Sequence, residues 1–395
     1  MGNLIKVILK AGKEQSIRRL HPWIFSGAIK SIAGKPEEGD MVEVFSSKDE
    51  FLALGHYQIG SIAIRIFSFE YIQPDVDFWY QKIYSAYQLR SSLGLTNNSH
   101  TNAYRLVNGE GDFLPGLIID YYDGVAVMQI HSIGMYHLRE IIAEILKKIY
   151  SSRLLAIYDK SEQTIPHKSN IRSVNEFLFG SIENRKIKEN GNLFLVDWIE
   201  GQKTGFFQDQ RENRELLKTY AHERKVLNMF CYSGGFSVYA LQGGAELVHS
   251  VDSSVKAIEL TDANVAFNFN QVSYHQSIVA DAVKFLSNPK ERYNLIILDP
   301  PAFAKHQNVL DNALQGYKRL NMKAFEIIDR KGILFTFSCS QAVSKENFRK
   351  AVFAAAANTG RKVRILHQLT QPADHPVSIY HPEGEYLKGL VLYVE

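Results

Sequence analysis

The stretch VLNMFCYSGGFSVYA, residues 226–240, reads as an apolar strand, a turn that contains Gly234 and Gly235, and a helix. Glycine lets the backbone approach a ligand closely, and the N-terminus of the helix adds exposed N–H donors. The dinucleotide spacing G-x-G-x-x-G is absent, because Phe-Ser-Val follows Gly235. The stretch therefore predicts a ligand-binding turn after the first strand of an α/β sheet and disfavours NAD.

Acidic residues follow the next predicted strands. Asp252 closes the strand of HSVDSS, 18 residues after Gly234, where a carboxylate commonly accepts hydrogen bonds from a ribose diol. Asp281 closes the strand of IVADAVKFL and could accept a bond from an adenine amino group, and Asp299 follows the apolar run NLIIL. Each aspartate alone could be a helix N-cap. Three of them in one βαβ succession predict a shared site at one edge of a parallel sheet.

Together these motifs resemble the class I S-adenosylmethionine-dependent methyltransferases. The resemblance implies a Rossmann-like α/β domain with S-adenosylmethionine as cofactor and no metal. It also implies that the glycine turn, the ribose acid Asp252 and the adenine contact Asp281 bind that cofactor. The positions that match the cofactor-binding motifs are Phe230, Tyr232, Ser233, Gly234, Gly235, Asp252, Asp281 and Ala282.

Cys339 lies at another strand end, in GILFTFSCSQAVSKENF (332–348), 40 positions after Asp299. A thiolate that adds to carbon 6 of cytosine makes carbon 5 nucleophilic, which is a form of covalent catalysis. The run at 344–347 predicts a helix start, and such surroundings favour a thiolate. Asp299, stiffened by the two prolines after it, would contact the base edge and stabilise charge in the ring. The predicted catalytic residues are Cys339 and Asp299.

The segment WIEGQKTGFFQDQRENR (198–214) precedes the predicted cofactor sheet. With the motifs above, it makes nearly the whole chain similar to the ribosomal RNA large subunit methyltransferase I family, which makes 5-methylcytidine. The resemblance implies a large-subunit ribosomal RNA substrate, a homodimer, and a cofactor or substrate contact for Gln210 and Arg211. These two residues could instead simply open the helix that follows. Many RNA 5-methylcytosine enzymes carry a second cysteine beside the proline loop, but residues 302–304 are Ala-Phe-Ala, so the base that removes the carbon-5 proton is unassigned.

Three regions are predicted along the chain. Residues 1–72 form a β-rich domain in which LHPWIFSGAI (20–29) and IAIRIFSF (62–69) resemble the RNA-binding PUA domain, although an unrelated barrel is the alternative. Residues 73–185 form a central α+β domain, with two strands expected in 103–130 and helices starting at Val76 and near 136. Residues 186–395 form the methyltransferase domain.

The composition of the chain limits which partners and locations these predictions allow. The 395 residues carry a net charge of only +3, but residues 1–35 hold seven basic side chains against Glu14, which suits a phosphate backbone or an ordinary solvated face. Two cysteines at 231 and 339 form no metal-ligand spacing and no disulfide framework. No signal peptide and no run of about 20 apolar residues is present, so a cytoplasmic protein without membrane contact is expected.

Other functions remain open from the sequence. A guanine-N2 or adenine-N6 methyltransferase also places an acidic or amide residue before Pro-Pro, but usually follows it with an aromatic residue, whereas position 302 is alanine. Such an enzyme has no use for Cys339. A ribosome assembly factor that keeps the fold without turnover is a rival from another class, and absence of cofactor binding would favour it. The hypothesis of a small-molecule methyltransferase gives the first 185 residues no function.

Overall fold

The computed structural model describes residues 4–166, 173–270, 272–289, 291–304 and 309–395. The chain forms two compact units, and it crosses between them five times. The first unit comprises Met1–Ile187, Val196–Phe206 and Ala373–Gly384. The second comprises Lys188–Leu195, Phe207–Pro372 and Glu385–Glu395. The division into three regions at 72/73 and 185/186 stays a prediction.

A six-stranded sheet forms from the N-terminal segment in the first unit. Its strands are β1 (Ile5–Leu9), β2 (Trp23–Phe25), β3 (Ile29–Ile32), β4 (Met41–Phe45), β5 (Phe51–Tyr57) and β6 (Ile62–Ser68), with the short helix α1 (Gln15–Arg18). The order is β2-β6-β5-β4-β1-β3, and only β1 and β4 pair in parallel. Val7, Leu9, Val42 and Val44 are fully buried, as the period-2 alternation of these strands predicts.

A five-stranded sheet follows in the same unit, in the order β11-β10-β9-β8-β7. Its elements are α2 (Val76–Ser92), β7 (Ala103–Asn108), β8 (Leu117–Tyr122), β9 (Val125–Ile130), α3 (Ile133–His137), α4 (Arg139–Tyr150), β10 (Ala156–Asp159) and β11 (Glu176–Phe179). The prediction of two strands in 103–130 is wrong, because three form there. Gly109 and Gly116 have φ values of +53° and +82°, and the turn between them separates β7 from β8, while the turn at Asp123 and Gly124 separates β8 from β9.

Arg105 has a structural role in this sheet. Its Nε and Nη2 donate to the two carboxylate oxygens of Asp120 at 2.8 and 2.9 Å, and Asp120 is fully buried. Such a bidentate ion pair with a buried carboxylate satisfies the guanidinium group within the protein. The guanidinium group of Arg105 is therefore engaged within the sheet.

A two-stranded sheet of β12 (Asn184–Glu189) and β13 (Asn192–Asp197) precedes the seven-stranded sheet of the second unit. The elements of that unit are α5 (Arg211–Tyr220), β14 (Lys225–Met229), α6 (Gly235–Gln242), β15 (Leu247–Asp252), α7 (Val255–Asn268), β16 (His275–Val279), α8 (Ala282–Ser287), β17 (Tyr293–Leu298), α9 (Leu310–Ile327), β18 (Ile328–Ser338), α10 (Lys345–Thr359), β19 (Val363–Leu369) and β20 (Lys388–Val394).

The strand order of this sheet is β16-β15-β14-β17-β18-β20-β19. The first five strands run parallel, and the last two form an antiparallel pair, with β20 antiparallel to β18. The chain enters this sheet at the central strand β14 and continues outward through β15 to β16. It then returns to the other side of β14 with β17. This reversal creates a crevice at the carboxyl ends of β14 and β17, where ligands bind in open α/β sheets.

Among the described residues, none of the helices is both long and apolar enough to cross a membrane. Within the same residues, no group of three or more histidine, cysteine or acidic side chains is arranged to hold a metal ion.

Candidate active site

The turn after β14 has a strained backbone. Phe230, Tyr232 and Gly234 all have positive φ values, of 59°, 47° and 72°. A β-carbon on Gly234 would lie 2.7 Å from Cγ2 of Thr261, so only glycine fits the close packing of this turn on α7. Strained non-glycine residues persist where the surrounding structure over-determines them, often at ligand sites.

Asp252 holds this turn from the end of β15. Its Oδ2 accepts a bond from the backbone N–H of Tyr232 at 3.1 Å, and its Oδ1 accepts one from the N–H of Ser254 at 3.0 Å. The carboxylate therefore joins the ends of two neighbouring parallel strands. The sequence predicted Asp252 and the turn as parts of one site, and the structure brings them into direct contact.

A cavity of about 630 Å³ opens beside Asp252. Phe230, Asp252, Asp281 and Ala282 line it from the strand ends, and side chains of α9 line the opposite wall. The strand β16 ends at Val279, two residues before Asp281, and the Asp281 side chain accepts a bond from the N–H of Lys284 at 2.9 Å. Asp281 thus caps α8 and lines the cavity at the same time.

Gln210 contacts Asp299 rather than the cavity beside Asp252. Its Nε2 donates to Oδ2 of Asp299 at 3.1 Å, while its Oε1 accepts a bond from Nδ2 of Asn213 at 2.6 Å. The bond from Asn213 sets the orientation of the Gln210 amide, because an amide oxygen accepts and its nitrogen donates. Asn213 was not predicted from the sequence, and only its position one turn into α5 hints at the contact.

Arg211 is buried and begins α5, as the helix-opening interpretation expects. No sequence motif pointed to the neighbouring Arg214. Its Nε and Nη2 donate to the two oxygens of Glu189 at 2.8 and 2.7 Å, and both side chains are almost fully buried. A β-carbon on Gly235 would meet Cδ of Arg214 at 3.0 Å, so this ion pair supports the start of α6 directly.

Cys339 and the proline loop meet at the edge of the sheet. The half-buried Cys339 directly follows β18, and its Sγ lies 3.9 Å from the backbone oxygen of Pro300. Ser344 caps α10 by accepting a bond from the N–H of Asn347 at 3.1 Å, which confirms the predicted helix start. The thiol and the residue after Asp299 are therefore neighbours, although 39 positions separate Cys339 from Pro300.

Cys231 has the opposite character. It is buried, its Sγ lies 3.6 Å from Oγ1 of Thr261, and burial raises the pKa of its thiol to about 12. A thiol with such a pKa stays protonated at neutral pH and is a poor nucleophile. Cys231 is therefore a packing residue of the turn after β14.

The strained turn, the two strand-end carboxylates and the partly apolar cavity fit an adenosine-containing cofactor such as S-adenosylmethionine. Residues 104–380 match the family of S-adenosylmethionine-dependent methyltransferases, and residues 7–69 match the PUA-like domain family. Ribosomal RNA large subunit methyltransferase I of Tolumonas auensis is 40% identical over 395 residues, which cover 98% of both chains. The chain belongs to this methyltransferase family.

A second member, from Aeromonas hydrophila, is 38% identical over 98% of both chains. A solved structure described as a methyltransferase complexed with SAH covers 99% of this chain and all of its own, with 25% identity and a TM-score of 0.85. The predicted fold, a Rossmann-like methyltransferase domain preceded by a PUA-like domain, is confirmed. The cofactor is S-adenosylmethionine, as predicted.

Proposed function

We propose that this protein methylates carbon 5 of a cytidine in large-subunit ribosomal RNA, with Cys339 as the nucleophile and Asp299 as the acid at the base edge. The observation that supports this most is the 3.9 Å contact between Cys339 Sγ and the backbone oxygen of Pro300. It puts a thiol beside the proline loop, where an enzyme that methylates an exocyclic amino group needs none. The curated relatives named above are ribosomal RNA large subunit methyltransferases, which supports this class of substrate.

In the proposed reaction, the Cys339 thiolate adds to carbon 6 and makes carbon 5 nucleophilic. S-adenosylmethionine supplies the methyl group when bound. A base then takes the carbon-5 proton, and the electron pair of that C–H bond restores the ring double bond as the bond between carbon 6 and the Cys339 sulfur breaks. Asp299 shares or donates a proton at N3 and so stabilises the negative charge that develops there, and Gln210 orients the carboxyl group by donating to its Oδ2.

We propose cofactor roles for the residues at the strand ends. Asp252 takes the ribose hydroxyls, and Asp281 takes the adenine amino group. Phe230 and Ala282 supply apolar walls of the cavity. The backbone of the turn through Tyr232, Ser233, Gly234 and Gly235 surrounds the methionine part. Arg211 is proposed to support this site from the start of α5.

We propose that the N-terminal PUA-like domain binds the RNA. Lys6 pairs with Asp49 and Arg18 pairs with Glu50, so these two charges have local partners. Five other basic side chains in the first 35 residues are exposed and form no ion pair among the described residues: Lys10, whose Nζ donates to the backbone oxygen of Gly27, and Lys13, Arg19, Lys30 and Lys35. Such a surface attracts phosphates, and the target cytosine must be unpaired or flipped out to expose carbon 6. The homodimer and the cytoplasmic location stay predictions.

The test is nucleoside mass spectrometry of unmodified large-subunit ribosomal RNA after incubation with S-adenosylmethionine and protein. The wild type is expected to yield 5-methylcytidine, and Cys339→Ala none. RNA that carries 5-fluorocytidine should trap a covalent adduct at Cys339, because fluorine at carbon 5 cannot leave as a proton.

Calorimetric binding of S-adenosylmethionine is the control, since Cys339→Ala should keep its cofactor affinity. Methylguanosine or methyladenosine from both proteins would contradict the proposal and favour a guanine-N2 or adenine-N6 methyltransferase. No product and no cofactor binding by the wild type would favour an assembly factor without turnover.

A further inference from the structure

Lys388 is a buried cation at the first position of β20. Only 5% of it is exposed, and in the antiparallel pairing of β18 and β20 it stands opposite Ser338. The residue after Ser338 is Cys339. The sheet register therefore brings Lys388 next to the end of β18, although 49 positions separate the lysine from the cysteine.

The ammonium group of Lys388 is held by the segment that follows Cys339. Its Nζ donates to the backbone oxygens of Ser340 and Val343, both at 2.6 Å. Lysine is rarely buried unless its charge is compensated, because taking an ammonium group out of water is costly. Two neutral carbonyls compensate part of that cost. A nearby anion would compensate more.

The charged groups around Lys388 come from three elements. Burial is the largest influence and lowers the pKa of Lys388 to about 8, Cys339 at the end of β18 and Glu385 ahead of β20 raise it, and Lys345 on α10 lowers it. Lys345 and Glu385 pair with each other at 2.6 Å on the surface, with about half of each side chain exposed. The helix α9 contributes Tyr317, whose hydroxyl lies 2.9 Å from Oγ of the same Ser340. Among these charged groups, Cys339 has the largest influence on Lys388.

We propose that Lys388 is a positioning residue for Cys339: its ammonium group stabilises the thiolate and its two bonds hold the 340–343 segment behind the sulfur. The use of that thiolate in methyl transfer rests on the proposed function, but the effect on the thiol itself does not. With its pKa at about 8, Lys388 carries its charge at neutral pH and loses it as the pH rises further. The stabilisation of the thiolate is therefore present at pH 7, where the nucleophile is needed.

The experiment measures the rate of alkylation of Cys339 by iodoacetamide as a function of pH, with mass spectrometry to locate the label. The background is Cys231→Ala, which leaves Cys339 as the single cysteine of the chain. With Lys388 intact, the midpoint should lie below the ordinary thiol value of about 8.5. Lys388→Met should move the midpoint up by about one pH unit and slow alkylation at pH 7 about tenfold. Lys388→Arg, which keeps the charge, should stay close to the parent protein.

Lys345→Met is the matched control, because it removes a lysine from the same neighbourhood that is more than half exposed and paired with Glu385. It should leave the midpoint nearly unchanged. An equal midpoint for Lys388→Met and its parent would overturn the proposal.

If circular dichroism shows that Lys388→Met does not fold, the alkylation midpoint of the Cys231→Ala parent alone tests the proposal. A midpoint at or above about 8.5 then overturns the proposal, and a lower one supports it. If the midpoint is lowered but the protein forms no 5-methylcytidine, the proposed effect of Lys388 on Cys339 stands. Only the proposed use of that thiolate in methyl transfer then fails.

Discussion

At the scale of single residues, the site depends on bonds that orient other functional groups. Asn213 donates to Gln210, and Gln210 donates to Asp299, so a side chain without charge sets the direction of the carboxylate. Gln210 was expected to contact the cofactor or the substrate. Its observed bond to Asp299 favours a role in positioning that carboxyl group, for which we proposed contact with the base.

Replacement of Gln210 by alanine should separate these two roles. Loss of a hydrogen bond to a charged group costs about 1.5–3 kcal/mol, so we expect Gln210→Ala to lower turnover about tenfold or more. Affinity for S-adenosylmethionine, measured by calorimetry, should change less than about twofold if the bond to Asp299 is the main role.

Asp252→Ala is the control for the cofactor side, because it removes a carboxylate that lines the cavity and holds the turn. It should weaken cofactor binding clearly. If Gln210→Ala weakens binding as much as Asp252→Ala does, Gln210 is a cofactor contact after all.

At the scale of elements, the turn between β14 and α6 combines strain with close packing. Gly234 and Gly360 have similar φ values, of 72° and 66°. A β-carbon on Gly234 would meet Thr261 at 2.7 Å, whereas one on Gly360, at the end of α10, would have nothing within 4 Å. Comparing alanine substitutions at the two glycines therefore distinguishes the free-energy cost of the left-handed backbone from the cost of steric crowding.

We expect Gly360→Ala to lower the free energy of unfolding by about 1 kcal/mol, the cost of the backbone alone. Gly234→Ala should cost about 2–4 kcal/mol, because overpacking adds to that cost. It should also weaken cofactor binding, since the turn must shift. Denaturant unfolding and calorimetry of both variants are the measurements, and equal losses of stability would refute a packing role for Thr261.

At the scale of the whole molecule, the small net charge of +3 conceals an uneven distribution. Lys13 and Arg19 are exposed and lack ion-pair partners among the described residues, in contrast to Lys6 and Arg18. Phosphate contacts release counterions, so they make RNA affinity depend on salt. Local pairing, and not total charge, thus decides which basic residues are available to RNA.

The double variant Lys13→Ala/Arg19→Ala should weaken ribosomal RNA binding and lower the slope of log affinity against log salt by about 1 to 2. Filter binding over a series of salt concentrations measures both. Lys147→Ala/Lys148→Ala is the control, because Lys147 pairs with Glu144 and Lys148 lies over the ring of Tyr80. Equal slopes for the two double variants would contradict RNA binding through the N-terminal face.

The sequence by itself determined the local features of this protein. Apolar runs that end in Asp252, Asp299 or Cys339 mark strand ends, because a buried strand needs such a run and a sheet edge tolerates polar groups. The glycine turn after β14 was predicted for the same reason, since its glycines and the following helix are contiguous in sequence. The prediction failed in 103–130, where three strands form instead of the expected two, because each of the two turns in this segment ends a strand.

Only the tertiary structure decided which distant side chains meet. The bond between Gln210 and Asp299 spans 89 positions, and Lys388 reaches Ser340 across 48. The buried pair of Arg214 and Glu189 joins a helix to a strand of a separate sheet. Such contacts depend on strand register and on the packing of helices against the sheet. Both are set by the whole fold, so no local pattern of residue types encodes them.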